Sequence, residues 1–448
     1  MMDPKHWLAI AESEARSLGV RDVEIILSDT TSSLTRFANN AIHQNVTAQS
    51  GNCSVRVVLY KQTEKRTARA STNRFNEQSI REVTAQAVAL AKSSEADELL
   101  PATNEPSNVP SQPRWAATTA SSSPTSRAQA VREAIELVEG AGHSAAGILS
   151  TDLSHEFLLN TNGVFLEHAE TMSRFSITAT AADSSGWAKA SAVDLQDLDT
   201  AHLAKQAMEK ARVSAAPKEI PPGTYTVILE PAAVLDLVGQ IFGDFSAAAI
   251  AEGRSFLSGR LGTKLFGNNI TITDDCFHPL QAGAQFDGEG VARQKLVLVD
   301  GGVPRDVARS RSSALRDGGK PTGHGLPLPN DAGEAVTNIV IHGGNHSIND
   351  MIRQTKRGIL VTRLWYIREV EQFEKIMTGM TRDGTFLIED GQLVCGVRNF
   401  RFNQSVVKLL NNVEMLGPTM RTSGEETFDM VVPAMKVNDF HFTEVTKF

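Results

Sequence analysis

Imidazole, thiol, carboxylate and guanidinium groups gather at a few points of this 448-residue chain, and their spacing limits what each set could do. His342 and His346 stand four apart, as paired zinc ligands on a helix do, but Gly343 and Gly344 favour a turn and remove that geometry. Asp274, Asp275, Cys276 and His278 offer a denser donor set, with His324 further along. A metal site there would need convergence in space; a strand end with a solvated acidic turn explains the same residues. No Gly-x-Ser-x-Gly elbow presents a serine nucleophile, which argues against a serine hydrolase. Gly318-Gly319-Lys320-Pro321-Thr322-Gly323 lacks the Walker spacing, and its proline falls where a helix should begin, so nucleotide binding is not expected. Arg363, Arg368, Arg382 and Arg398 recur through the last third of the chain. Facing a groove they could grip a peptide carboxylate in bidentate fashion; otherwise they form internal ion pairs or a solvated strand face. Trp365 and Tyr366 beside them suit sheet core or a subunit interface.

The elements that must position these groups are marked by punctuation. The first 20 residues form an amphipathic helical pattern. Short β-branched or apolar segments follow at residues 23–27, 34–37, 41–46, 53–60 and 67–70, predicting an antiparallel sheet. Helical spacing returns at 76–92, 126–139 and 200–213. Residues 95–127, rich in Pro, Ser, Thr and Ala, are expected to form a long surface loop, and Asn162-Gly163 a tight hairpin within strands at 148–182. Prolines 217, 221 and 222 place a boundary between an N-terminal domain, 1–218, and a C-terminal domain, 219–448. The second half opens with a strand at 224–229 and a helix over 231–262 with Pro231 near its first position. Asp300-Gly301, Asp383-Gly384 and Asp390-Gly391 each predict a hairpin, and residues 305–331, dense in Arg, Ser, Gly and Pro, predict a mobile loop. The expected fold class is α+β: an antiparallel sheet with flanking helices, then a β-rich barrel- or sandwich-like domain.

Bulk properties exclude several roles. The net charge of −8 repels a phosphate backbone, so no nucleic-acid partner is expected. Cys53, Cys276 and Cys395 are odd in number and far apart, which suits a reducing compartment and not a disulfide framework. The N-terminus lacks the basic-then-apolar layout of a signal peptide, and no apolar run reaches the roughly 20 residues that span a bilayer. A cytoplasmic location and no membrane partner are expected.

Several runs of the second half resemble the TldD/PmbA family. They are Phe286-Asp-Gly-Glu-Gly-Val-Ala292, Arg357-Gly-Ile-Leu-Val-Thr-Arg-Leu-Trp-Tyr-Ile-Arg368, Thr378-Gly-Met-Thr-Arg-Asp-Gly-Thr-Phe-Leu-Ile-Glu-Asp-Gly391 and Val397-Arg-Asn-Phe-Arg-Phe402. The segment from Pro231 is similar to the helix on which catalytic members of that family carry His-Glu-x-x-x-His. In this chain that frame reads Gly239-Gln240-Ile241-Phe242-Gly243-Asp244. Zinc needs imidazole, thiolate or carboxylate donors, and its bound water needs a basic carboxylate. Glycine supplies neither, the Gln240 amide is no base, and Asp244 is a single hard donor. Residues five apart lie roughly 140° around a regular helix, so convergence would also require a distortion, which Gly243 would permit. The reading of this helix from its residues alone is a packed apolar face. In the family a cysteine near the C-terminus, followed by glycine, completes the zinc site; Ser423-Gly424 takes that place here.

The resemblance implies a TldE/PmbA-type subunit with no catalytic residue and no cofactor of its own. It implies a TldD-like partner that bears the zinc, and an unfolded peptide substrate enclosed by the pair. Two alternatives stay open: an independent peptidase or hydrolase with a site relocated toward Asp274, His278 and His324, and a homodimeric interaction protein of the gyrase-modulator type that the family's naming suggests.

Overall fold

The computed structural model describes residues 3–61 and 64–446. The first half runs α1 (Pro4–Ser17), β1 (Asp22–Ala38), β2 (Ala41–Lys61), β3 (Glu64–Thr72), α2 (Glu77–Ser93), α3 (Ala117–Ala120), α4 (Pro124–Gly140), β4 (Ser144–Asn160), β5 (Phe165–Thr180), β6 (Ser185–Ala192) and α5 (Thr200–Val213). Its six strands form one antiparallel sheet in the order β3-β2-β1-β4-β5-β6. The five short segments expected before residue 72 merge into three strands. The polar stretches between them, 28–33 and 47–52, pair with each other residue for residue and carry the ladder onward.

Alternation along the strands divides the sheet's neighbours. Val23, Ile25 and Leu27 point to α1 and α2, while Phe37, Leu149 and Phe175 pack under α4 and α5. The intervening residues meet the second half: Leu158 and Val164 touch Phe286, and Val58 packs with Leu100 and Leu328. Helix α2 forms because Ile80, Val83, Ala87, Val88 and Ala91 recur on one buried face and the Asn76 side chain accepts a hydrogen bond from Ser79 N at 2.9 Å. Asn76→Ala should lower stability by about 1 kcal/mol, read as a shifted urea midpoint at unchanged slope.

The second half contains β7 (Gly223–Leu229), α6 (Pro231–Val238), α7 (Ala247–Ala251), β8 (Ile272–Asp274), β9 (Leu296–Asp300), β10 (Val303–Pro304), α8 (Arg311–Asp317), β11 (Ile339–Ile341), α9 (Ile348–Arg353), β12 (Arg357–Glu371), β13 (Ile376–Glu389), β14 (Gln392–Gly396), β15 (Phe400–Ser405), α10 (Val406–Asn411), β16 (Val413–Leu416), β17 (Met420–Thr422), β18 (Met430–Val432) and β19 (Met435–Val445). Strands β12-β7-β19-β15-β13 close into a five-stranded barrel because β13 also pairs with β12. A second sheet has the order β10-β9-β8-β11-β18-β17. The largest core, with Phe242, Phe245, Phe256, Phe266, Phe400 and Phe402 among its members, draws on both sheets and on α6.

Four expectations are corrected. The helix foreseen over 231–262 is α6 alone; Gly239–Asp244 winds as a 3₁₀ turn and α7 follows Ser246. Asp300-Gly301 and Asp390-Gly391 do turn hairpins, but Asp383-Gly384 lies inside β13, where φ values of 52° and 133° make a bulge opposite a register shift in β12. Residues 305–331 are no mobile loop: Val307, Ala308, Ser313 and His324 are buried and α8 stands among them. Residues 95–127 are not all surface either, since Leu100, Thr103, Arg114 and Thr119 are buried. The stretch crosses onto the other half, where Asn104 Nδ2 donates to Gly290 O at 2.8 Å, Gln112 N to Gln285 Oε1 at 3.2 Å and Arg114 Nη2 to Cys276 O at 2.9 Å.

Candidate functional site

Helix α6 starts where Pro231 fixes φ without losing a hydrogen bond, and Ala232 to Val238 are all buried. The turn that follows holds the frame Gly239 to Asp244, whose ends face different neighbours. A Cβ at Gly239 would lie 2.7 Å from Thr427 Oγ1 and 3.0 Å from Met430 Cε, so only glycine fits the close approach of residues 427–430. Gln240 donates its amide to Asp236 O at 3.0 Å. Asp244 is buried, with Oδ2 at 2.6 Å from Lys375 Nζ and Oδ1 accepting from Phe256 N at 3.0 Å. Burial raises the Asp244 carboxyl and Lys375 opposes that shift. Lys375 in turn pairs with Glu369 at 2.7 Å.

Ser423 is fully buried, and its Oγ has no hydrogen-bond partner. Asp236, an acid in an otherwise apolar helix, organises the neighbouring segment: Oδ1 accepts from the amides of Glu425 and Glu426, each at 3.0 Å. Its other oxygen is unpartnered, and burial pushes the carboxyl up to about 6 against those two amides. Lys189 from β6 donates to Gly424 O at 2.6 Å, and Glu426 accepts from Tyr366 N at 2.7 Å. Residues 423–427 are thus fastened to α6, to the first sheet and to the barrel at once.

A zinc ion does not fit the donors here. Gly239 has none, the Gln240 amide is spent, Asp244 is paired with Lys375, and Ser423 presents only a hydroxyl. Among the described residues no group of three or more His, Cys, Asp or Glu is placed to hold a metal ion. Asp274 and His324 do meet, at 3.1 Å, in full burial. Asp274 also accepts from Thr337 N and Asn338 N, and His324 Nδ1 lies 3.0 Å from Thr322 Oγ1. His278 turns its Nδ1 to Leu280 N at 3.2 Å instead of joining them.

The arginines separate into three settings. Arg363 is buried; its Nε donates to Asp383 Oδ2 at 2.9 Å, a contact made possible by the β13 bulge, and its guanidinium lies 4.8 Å from the Trp187 ring and 5.6 Å from Trp365. Arg382 caps the outer side of Trp365 at 5.0 Å, so Trp187, Arg363, Trp365 and Arg382 form one column that joins the two halves. Tyr366 and Arg368 make a second, exposed pair at 4.6 Å, with Arg368 3.5 Å from Glu426. Arg398 stands apart, 3.9 Å from Glu219, on the wall of a crevice of about 770 Å³ between the halves.

A second buried ionic layer lies where the first sheet meets the run Phe286–Ala292. Glu24 bridges Arg56 at 3.3 Å and Arg69 at 2.6 Å. Across from them Glu289 accepts from Arg311 N at 2.8 Å while its Oε1 has no partner. Burial first, and the Asp287 charge second, push the Glu289 carboxyl up to about 8. Neither Asp236 nor Glu289 stands out by residue spacing. The only advance signal is an acid set in an apolar helix for one, and a Gly-flanked acidic run for the other.

Domain profiles match the chain in three parts: PmbA/TldA metallopeptidase domain 1 over residues 23–91, the central domain over 122–215 and the C-terminal domain over 222–444. The metalloprotease of Methanothermobacter thermautotrophicus is 27% identical over 309 residues, 64% of this chain and 66% of that protein. Metalloprotease PmbA of Escherichia coli is 24% identical over 227 residues, half of this chain and 47% of that protein. The matched stretches therefore span about half to two thirds of the length of these relatives. The crystal structure of TldE from Thermococcus kodakarensis superposes with a TM-score of 0.87 over 98% of this chain and 99% of that one, at 21% identity. With three domain profiles lying along most of its length and the TldE fold reproduced throughout, the chain belongs to the PmbA/TldD family of metallopeptidase-like proteins.

Proposed function

We propose that this chain is a TldE-type subunit that pairs with a zinc-bearing TldD-like metalloprotease and helps enclose unfolded peptides, contributing walls and no catalytic group. The reading is supported most by one observation: Thr427 and Met430 fill the space that a side chain at Gly239 would need, the position the family resemblance matches to the first histidine of catalytic members. On this reading the exposed Tyr366, Arg368 and Arg382 serve contact with the partner or the peptide, and the protein acts in the cytoplasm. No described helix is long and apolar enough to cross a membrane.

Purified alone, the chain should bind no stoichiometric zinc and cleave no peptide. Mixed with a TldD-like chain from the same source, it should form a one-to-one complex by native mass, with zinc-dependent cleavage. One zinc per isolated chain, with peptidase activity lost on Asp244→Ala, would overturn the reading.

A further inference from the structure

Arg293 is a cation without a counter-charge in contact. Its side chain makes no hydrogen bond or ion pair among the described residues, and its Nη1 is sealed from solvent with no acceptor. It lines a pocket of about 360 Å³ together with Gly283, Asn338, Arg421, Phe428 and Asp429. A guanidinium so placed keeps its desolvation cost and lacks the paired acceptors that usually offset it.

The acids around it are already engaged. Asp274 accepts from Thr337 N and Asn338 N and touches His324. Asp287 accepts from the amides of Glu289, Val291 and Gly325 at 2.7 to 2.9 Å. Asp429 is shared by Arg421 at 3.2 Å and Arg174 at 3.5 Å, and Glu170 accepts from Gly283 N and lies 3.4 Å from His168. Glu156 feels Arg293 but makes no ion pair with it, and its own burial raises its carboxyl toward the neutral form. Arg421 is largely engaged, since its nitrogens reach Ser191, Leu280 O, Met172 Sδ and Asp429. Arg293 is therefore the guanidinium lining this pocket whose donors are unspent, and the half-exposed ring of Phe428 lines the pocket with it.

We propose that this pocket is a subsite for a free peptide C-terminus, whose carboxylate Arg293 receives while the last side chain rests against Phe428. A planar carboxylate matches the guanidinium fork, and the pocket has the volume of one or two residues. The choice of a peptide as ligand rests on the peptide-enclosing role proposed above; the test does not need the partner subunit. Acetyl-Ala-Ala-Phe as the free acid and as its amide would be titrated calorimetrically into the isolated full chain. The acid should bind at least tenfold more tightly than the amide. Arg293→Gln should abolish that preference and Arg293→Lys should reduce it, with thermal midpoints near that of the parent. Phe428→Ala should weaken both ligands while keeping their ratio. Equal binding of acid and amide, no binding of either, or an undiminished preference in Arg293→Gln would overturn the proposal. Should that variant fail to fold, an undiminished preference in Arg293→Lys would do the same. Failure of the pairing role would show separately, as the absence of a one-to-one complex with a TldD-like chain.

Discussion

Gly239→His is expected to cost about 3 kcal/mol of folding stability and to bring no zinc with it. The first added atom would already sit 2.7 Å from Thr427 Oγ1 and 2.8 Å from Thr427 Cγ2, and the ring would have to continue into the same segment. That segment cannot easily retreat, because Asp236 holds the amides of Glu425 and Glu426 and Thr427 Oγ1 donates to Leu235 O at 3.1 Å. Urea midpoints of the parent, Gly239→His and the double change with Thr427→Gly would separate steric cost from other effects. Trimming Thr427 should recover part of the loss, as expected for two positions in contact. A Gly239→His protein with parental stability and one equivalent of bound zinc would refute the filled-site argument.

Glu289→Gln should remove a loss of stability that the parent suffers as the pH rises. A carboxyl displaced from 4.5 to about 8 by folding keeps its proton in the native state while the unfolded chain has released it. Native protein thus binds more protons than unfolded protein between those values. The stabilisation is complete below about pH 4.5, declines through the interval and is gone above about 8. The full difference is on the order of 5 kcal/mol. Glutamine resembles the neutral acid and has nothing to ionise, so the variant should hold its stability through that window and exceed the parent at pH 8.5. Asp236 is also raised by burial, but both proteins share it and the comparison cancels it, while Asp287, likewise raised by burial, is relieved of the Glu289 charge in the variant. Parallel stability profiles for the two proteins between pH 5 and 8.5 would contradict the assignment.

Local signals are reliable where local forces decide. Helix α5 occupies the residues its spacing marks, Asn162-Gly163 turns between β4 and β5, and Asp390-Gly391 joins β13 to β14. They failed where a distant partner decides. Asp383-Gly384 has the composition of a turn, yet the Arg363 guanidinium and the Ser185 hydroxyl hold Asp383 inside a bulged strand. Residues 305–331 read as a mobile loop because arginine, serine, glycine and proline crowd it, but Glu334 accepts from Ser310 N and the Ser246 and Ser313 hydroxyls and draws the stretch inward. The candidate site was half visible. The missing donors at Gly239 and Gln240 can be read directly, whereas the atoms that fill the space, Thr427 and Met430, lie nearly 190 residues away and no spacing points to them. Arg293 has no signal in the sequence for the same reason: a lone arginine becomes significant only when its neighbours in space are otherwise engaged.

The stretch between α2 and α3 has a consequence for how the molecule holds together. It is encoded with the first sheet, yet Asn104, Gln112 and Arg114 spend their hydrogen bonds on residues 276–290 of the other half. Neither half, expressed as a separate fragment, could satisfy those groups, and the guanidinium of Arg114 would lose the backbone carbonyls of Cys276 and His278 and keep only Gln112 Oε1. These contacts tie residues before 217 to residues after it, so a single calorimetric unfolding transition is the expected outcome.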